Sequence, residues 1–346
     1  MDISCRRSET KHRKRESMKK IINAPEQYTD DMLKGIYAAH SEMVRYVNHD
    51  RRCYCIKNKT EGKVAIVTGG GTGHLPLFLG YVGNGLLDGC AVGNVFQSPS
   101  ADQIYHITKA VENGAGVLYL YGNYTGDVMN FDMASELCEM EGIPVRSIVC
   151  ADDVNSGKPE IRRGVAGIFF MYKAAGAVAS QMGTLEEVYA AAEKIKAVTR
   201  TVGFAFTPCI IPEVGYPNFT LEENEMAMGM GIHGEPGIRN CRIKTASELA
   251  EESLFLIQQD MPIKTGEKVA VLINGLGATS IEELYILNGC VKEQLEKENI
   301  EVARTFVGEF ATSMEMAGAS ISLCKVDEEI LQWLDFPVDT PFFKLK

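Results

Sequence analysis

The chain lacks any apolar run approaching the roughly 20 residues that a membrane helix needs, and no apolar h-region follows its N-terminal charges. Those absences predict a protein that neither spans a membrane nor is exported. Positive charge is also short: 35 Lys and Arg against 46 Asp and Glu leave a net charge of −11. That balance disfavours nucleic acid and anionic lipid as partners, because both are densely negative themselves. Tryptophan occurs once, and the ten cysteines contain no C-x-x-C pair recurring at zinc spacing. They read as free, mostly buried thiols of a reducing cytoplasm. The glycine segment Gly69 to His74, GGGTGH, lacks the third glycine of a dinucleotide fingerprint, and no Lys-Ser/Thr follows it to make a Walker A loop. As a nucleotide motif it is weak, but His74 beside Gly73 and Pro76 tips the segment towards a site rather than a bare turn.

What is present is enough chain for two domains of ordinary size, at about 150 residues each. Residues 1–17 are polar, basic and without periodicity, so a disordered leader is expected, with the fold beginning near Met18. KVAIVTGGGTGH from Lys63 reads as a strand breaking into a glycine loop. GAGVLYLYGNYTGD from Gly114 repeats that design, and VRSIVCADDV supplies a third strand. Helices are predicted between them, from Ala101 to Asn113 and from Val128 to Glu141. Strands alternating with helices imply a parallel α/β sheet with ligands at the carboxyl ends of its strands. Thr184 to Glu187 is a capping box opening an alanine-rich helix. Ser280 to Glu283 is another, after the strand KVAVLINGLGAT. The expected division is an N-terminal α/β domain over 18–183 and a C-terminal α/β domain over 184–346.

The segment Gly229 to Ile238, GMGIHGEPGI, isolates His233 among glycines and closes with Glu235-Pro236-Gly237. A core histidine needs large apolar neighbours, whereas glycines let a backbone and a small ligand approach a ring. Neutral imidazole is abundant at pH 7, and its ring nitrogen is a competent nucleophile toward a ketone carbonyl. Glu235 alone is thin support for a metal. Asp127, at the end of the second strand design, either accepts a proton from a substrate hydroxyl or caps the next helix. Asp152-Asp153 either holds Mg²⁺ or serves as a cap or loop. His40, His49 and His106 read as surface residues, and Cys53 and Cys55 as structural residues facing one side of a strand.

GGGTGH, VFQSPS, NYTGDVMNF, RRGVAG, FTLEENEMAMGMGIHGEPGI, NGLGAT and VDTP occur in that order from about Met18 to Pro341. Together they resemble the dihydroxyacetone kinase K subunit (DhaK) family. The resemblance implies a two-domain fold of that kind, each domain a sheet flanked by helices. It implies a cytoplasmic homodimer that holds a short-chain ketose, dihydroxyacetone or a tetrulose such as erythrulose, as a covalent hemiaminal on His233. It carries His74 over as an acid-base residue and Asp127 as the base acting on the terminal hydroxyl. Gly71, Thr72, Gly73, Phe96 and Ser98 are carried over as substrate-binding positions. No metal and no cofactor are expected on this chain. Mg-ATP or Mg-ADP is expected on a separate DhaL-type nucleotide-binding subunit, since the chain leaves no room for that domain. The other family role is a noncatalytic dihydroxyacetone-binding coactivator of a transcription regulator. Leu75 and Gly122 stand where phosphotransferase-linked members commonly carry glutamate and lysine, and the run YGNYTGDVMNFDMA looks closer to relatives acting on other small ketoses such as tetruloses.

Overall fold

The computed structural model describes residues 19–235 and 237–346, so the expected leader at 1–17 and the stiffening proline Pro236 lie outside the described residues. Helix α1 (Tyr28–Ala39) leads into a hairpin of β1 (Val44–Val47) and β2 (Asp50–Ile56). Asn48 and His49 turn it, both at positive φ, as a two-residue hairpin requires. Then follow β3 (Ala65–Thr72), β4 (Gly89–Val95), α2 (Ala101–Val111), β5 (Val117–Gly122), α3 (Thr125–Met140) and β6 (Val145–Cys150). Their order is β1-β2-β4-β3-β5-β6. The four strands from β4 to β6 run parallel, as expected, and the hairpin makes the other edge antiparallel.

The predicted glycine loop at Gly69 to Gly71 needs correction: β3 continues through it to Thr72. The glycines are there for lack of room. A Cβ on Gly70 would lie 2.2 Å from the Phe78 ring, and one on Gly71 would lie 2.6 Å from the Gln97 amide. Helix α3 begins at Thr125, three residues before its predicted start, which carries Asp127 into the first helical turn.

Helices α4 (Ile168–Ser180) and α5 (Leu185–Ala197) come next, then β7 (Thr199–Ala205), β8 (Glu225–Met228), β9 (Arg239–Arg242) and α6 (Ala246–Asp260). The rest is β10 (Lys268–Gly275), α7 (Ile281–Lys297), β11 (Glu301–Gly308), β12 (Gly318–Val326), α8 (Glu328–Asp335) and a short pair, β13 (Val338–Asp339) and β14 (Lys344–Leu345). The second sheet has the order β11-β10-β12-β7-β8-β9 and is antiparallel except between β10 and β11. Both predicted capping boxes form, at Thr184 with Glu187 and at Ser280 with Glu283. The division expected between residues 183 and 184 falls in the α4–α5 connection. Helix α5 packs on α4 and on β5 and β6, and the second sheet begins at β7.

Apolar on nearly every side, α4 is the kind of helix that must be buried. It belongs to a core cluster that runs from Ile66 and Leu118 in the first sheet, through Phe169 and Phe170, to Ala270 and Leu272 in the second. Seven of the nine described cysteines are buried and all nine are free. Cys53 and Cys55 share one core cluster, as their alternation predicts. His49 is exposed, and His106 lies 3.3 Å from Asp102 across one helical turn. Among the described residues no helix is long and apolar enough to cross a membrane.

Candidate active site

Three rings from distant segments converge. His74 follows the end of β3, Phe96 follows β4, and His233 lies in the connection between β8 and β9. The His74 and His233 ring centroids are 4.6 Å apart at 81°, and Phe96 stacks on His74 at 4.8 Å. Tyr124, just before α3, meets His233 edge-on at 4.5 Å. Phe96 holds φ at 58°, a costly backbone for a bulky residue, and that conformation sets its ring against both histidines.

His74 is fully buried, and its Nδ1 is 2.8 Å from the carbonyl of Thr312. A carbonyl only accepts, so the proton sits on Nδ1 and Nε2 keeps its lone pair. Burial, aided by repulsion from His233, pushes the ring down to about 3, so it stays neutral. His233 is oriented the same way by a different partner. Its Nδ1 is 2.9 Å from Glu235 Oε1, and its backbone N–H donates to Oε2 of the same carboxylate at 2.9 Å. Asn218 donates to its carbonyl at 3.1 Å. Burial alone raises the Glu235 carboxyl, but the bond from His233, its charge and Arg163 outweigh that and bring it to about 2. An ionised Glu235 accepts from Nδ1–H and leaves Nε2 of a half-buried ring free to attack.

The glycines flanking His233 do not open space for a ligand, which corrects the expectation drawn from their size. A Cβ on Gly231 would lie 2.3 Å from Glu235 Oε2, one on Gly234 1.9 Å from Asn218, and one on Gly237 2.1 Å from the Met228 carbonyl. They make room for the groups that hold the histidine.

Asp127 is buried, and burial pushes its carboxyl up to about 6 against hydrogen bonding from Ser98 and the nearby charge of His233. Gly126 admits Ser98: a Cβ there would lie 2.6 Å from its Oγ. Asp127 Oδ1 and His74 Nε2 are buried with no hydrogen-bond partner among the described residues. Orphaned polar atoms beside a half-buried imidazole are what a polyhydroxylated ligand would satisfy.

Other expected positions serve differently. The Thr72 hydroxyl pairs with Thr29 at 3.2 Å, so its contribution near the histidines is backbone, its carbonyl accepting from Phe96 at 3.0 Å. Gly71 and Gly73 pack against Phe96. The Asp152-Asp153 pair is structural: Asp152 accepts from the amides of Val165 and Gly167 at 2.8 Å, and Asp153 pairs with Arg163 at 2.7 Å. No group of three or more His, Cys, Asp or Glu able to hold a metal occurs among the described residues. A separate 410 Å³ cleft between α6 and α7, lined by Phe204, Ile243, Leu249 and Ile286, contains none of these groups. Sequence reasoning missed Tyr124, Asn218, Thr312 and the service of Glu235 to His233. Only the last had a local signal, the two-residue spacing.

A model of the Dak1 domain matches residues 34–342. The chain is 43% identical over 329 residues to a PTS-dependent dihydroxyacetone kinase 1 dihydroxyacetone-binding subunit, DhaK, of Listeria innocua, covering 93% of this chain and 99% of that one. It is 40% identical over 331 residues to an L-erythrulose kinase of Pectobacterium atrosepticum, covering 94% of this chain and 56% of that longer protein. Among solved structures, a dihydroxyacetone kinase operon co-activator superposes with a TM-score of 0.86 at 32% identity, covering 91% of this chain and 98% of the other. With the family model spanning most of the chain and relatives above 30% identity along nearly their full length, the chain belongs to the DhaK family, that of the dihydroxyacetone kinase K subunits.

Proposed function

We propose that this chain is the ketose-binding subunit of a dihydroxyacetone (glycerone) kinase. The observation that carries the reading is His233, its Nδ1 engaged by Glu235 and its ring against His74, with two buried polar atoms of the site, His74 Nε2 and Asp127 Oδ1, left without a partner among the described residues. In this reading Nε2 attacks the ketone carbon and the carbonyl π pair moves to oxygen, which takes a proton; the ring proton leaves from Nδ1. The product is a neutral hemiaminal. It anchors the ketose so that a terminal hydroxyl meets Asp127, which takes the hydroxyl proton, while His74 Nε2 accepts a hydrogen bond. A bare Nε2 suits His74 to the accepting half of an acid-base role. Gly71 to His74, Phe96 and Ser98 bound the site. A Mg-nucleotide complex on a DhaL-type partner supplies the phosphoryl group, donating it as ATP; where Mg-ADP rests on that partner it must first be recharged to ATP. The working form is a cytoplasmic homodimer, and glycerol metabolism is its setting.

Intact-protein mass spectrometry with dihydroxyacetone or erythrulose tests this. Wild type should gain one ketose mass, and His233→Ala should not; an undiminished adduct in His233→Ala removes the residue from its role. Phosphorylation by the chain with its DhaL-type partner separates the kinase from the second reading, a noncatalytic coactivator, which the similarity to the co-activator structure favours. Retention of both His74 and Asp127 favours the kinase.

The tetrulose reading is favoured by the erythrulose kinase relative. Leu75 lines a cleft with Tyr28, Met32 and Met314, while Gly122 lies under Tyr124, whose ring is 3.1 Å from where a Cβ would be. The room left by Gly122 is therefore taken up by an aromatic wall of the His233 site. A tetrulose should show the higher kcat/KM, and Gly122→Lys, by displacing Tyr124, should shift preference toward the triose. A tenfold wild-type preference for dihydroxyacetone would remove the tetrulose reading alone.

A further inference from the structure

We infer that Arg163 is a positioning residue for the covalent step, acting through Glu235 to hold His233 with its proton on Nδ1; this rests on the ketose-binding reading above. Arg163 stands in the RRGVAG segment that precedes α4, whose contacts described above are with Asp152 and Asp153. Its guanidinium reaches three groups. Nε and Nη2 engage Asp153 Oδ2 at 2.9 and 2.7 Å, Nη2 donates to the Gly229 carbonyl at 3.0 Å, and Nη1 stands 3.9 Å from Glu235 Oε2. Asp153 is buried, and its other oxygen accepts from the Asn155 amide at 3.0 Å, so the anchor is itself held. A planar fork can serve all three groups at once, which an ammonium cannot.

The two ends of this contact lie in different parts of the fold. Asp153 follows β6 of the first sheet, whereas Gly229 and Glu235 begin and nearly end the His233 loop of the second. Gly231 connects the observations, because its missing side chain leaves the volume that the Glu235 carboxylate and the Arg163 guanidinium fill: a Cβ would lie 2.3 Å from the one and 2.8 Å from the other. Arg162, the adjacent arginine, turns the other way to pair with Asp260.

The chemistry gives this arrangement a purpose. When the Nε2–carbon bond forms and the carbonyl pair moves to oxygen, the imidazole becomes cationic until Nδ1 gives up its proton. Glu235 is the group that neutralises the ring or takes that proton. A cation beside Glu235 keeps it ionised and correctly turned while the ring is neutral, so the resting histidine has one tautomer and one face for attack. The other ionisable groups around this pair are Asp153, His74, Tyr124 and Asp127, and none of them contacts Nδ1.

Two readouts test the inference on the full chain. Nitrogen NMR of ¹⁵N-histidine-labelled protein reports the His233 tautomer without any ketose, and mass spectrometry reports the rate of adduct formation with dihydroxyacetone or erythrulose across pH. Wild type should show a single Nδ1–H tautomer. Glu235→Gln and Arg163→Gln should each give mixed tautomers and slow adduct formation by about tenfold or more, with Arg163→Lys in between. An Arg163→Gln protein with the wild-type tautomer and adduct rate, altered only in melting temperature, overturns the inference and leaves a structural brace. Should Arg163→Gln not fold, Arg163→Lys decides: a changed tautomer or slower adduct supports the role, and two unchanged readouts overturn it. If wild type forms no adduct at all, the ketose-binding reading fails, whereas the tautomer measurement still judges Arg163.

Discussion

Asp127 shows how one carboxylate is made costly to keep and useful for that reason. Burial raises its folded-state value from 3.8 to about 6, so ionising it in the folded protein costs stability. The cost is absent below about pH 4, grows as pH rises through 6, and is present in full above that. Asp127→Asn should therefore stabilise the protein at pH 7 by about 3 kcal/mol and leave it nearly unchanged at pH 3. Paired denaturant titrations at the two pH values check this. The same variant should bind ketose, yet lose turnover by roughly 10²-fold. Wild-type turnover in it would leave Asp127 as a member of a helix first turn and nothing more. In wild type, turnover should fall as pH drops through about 6, where Asp127 takes up a proton. His74 does not contribute to that limb, because burial holds it neutral down to about 3. Asp127 was legible as a candidate from its place after a strand. That it is buried was not legible, because the groups that cover it come from elsewhere in the chain.

Glycine decides two elements, each time for a nonlocal reason. In β3, Gly70 lies against Phe78, and Gly70→Ala should lower stability by roughly 1–3 kcal/mol, the scale of forced overpacking, as a denaturant midpoint would show. In the β8–β9 connection, Gly231→Ala puts a methyl where Glu235 and Arg163 meet, so it should abolish the ketose adduct while the protein stays folded by circular dichroism. An unchanged adduct would show that the loop tolerates that displacement. Sequence reasoning found both segments. It read the first as a loop and the second as an opening for substrate because a run of glycines looks alike whether solvent, ligand or protein fills the space. The capping boxes were read correctly since both partners lie three residues apart and the bonds they make are local.

At the scale of the molecule, the core cluster through α4 ties the two sheets together. Phe169, fully enclosed, touches Phe306, Phe310 and Phe343 as well as Tyr81. Phe169→Ala should cost about 3–5 kcal/mol. Loss of ellipticity and the fluorescence change of Trp333, the single tryptophan, should move together to lower denaturant. Separate transitions would mean that the sheets unfold independently. The sequence by itself determined the α/β class, most helices and strands and the family, and picked out His74, Asp127 and His233 as candidates, because periodicity, caps and ordered motifs are written locally. Only the tertiary structure decided that His233 lies against His74 and Tyr124, that Glu235 and Thr312 face Nδ1 of the two histidines, and that Arg163, anchored on Asp153, reaches Gly229 and Glu235. Those facts depend on which segments meet at the junction of two sheets. A hydrogen bond such as that from His74 to Thr312, joining residues 238 positions apart, leaves no pattern in a single chain read end to end.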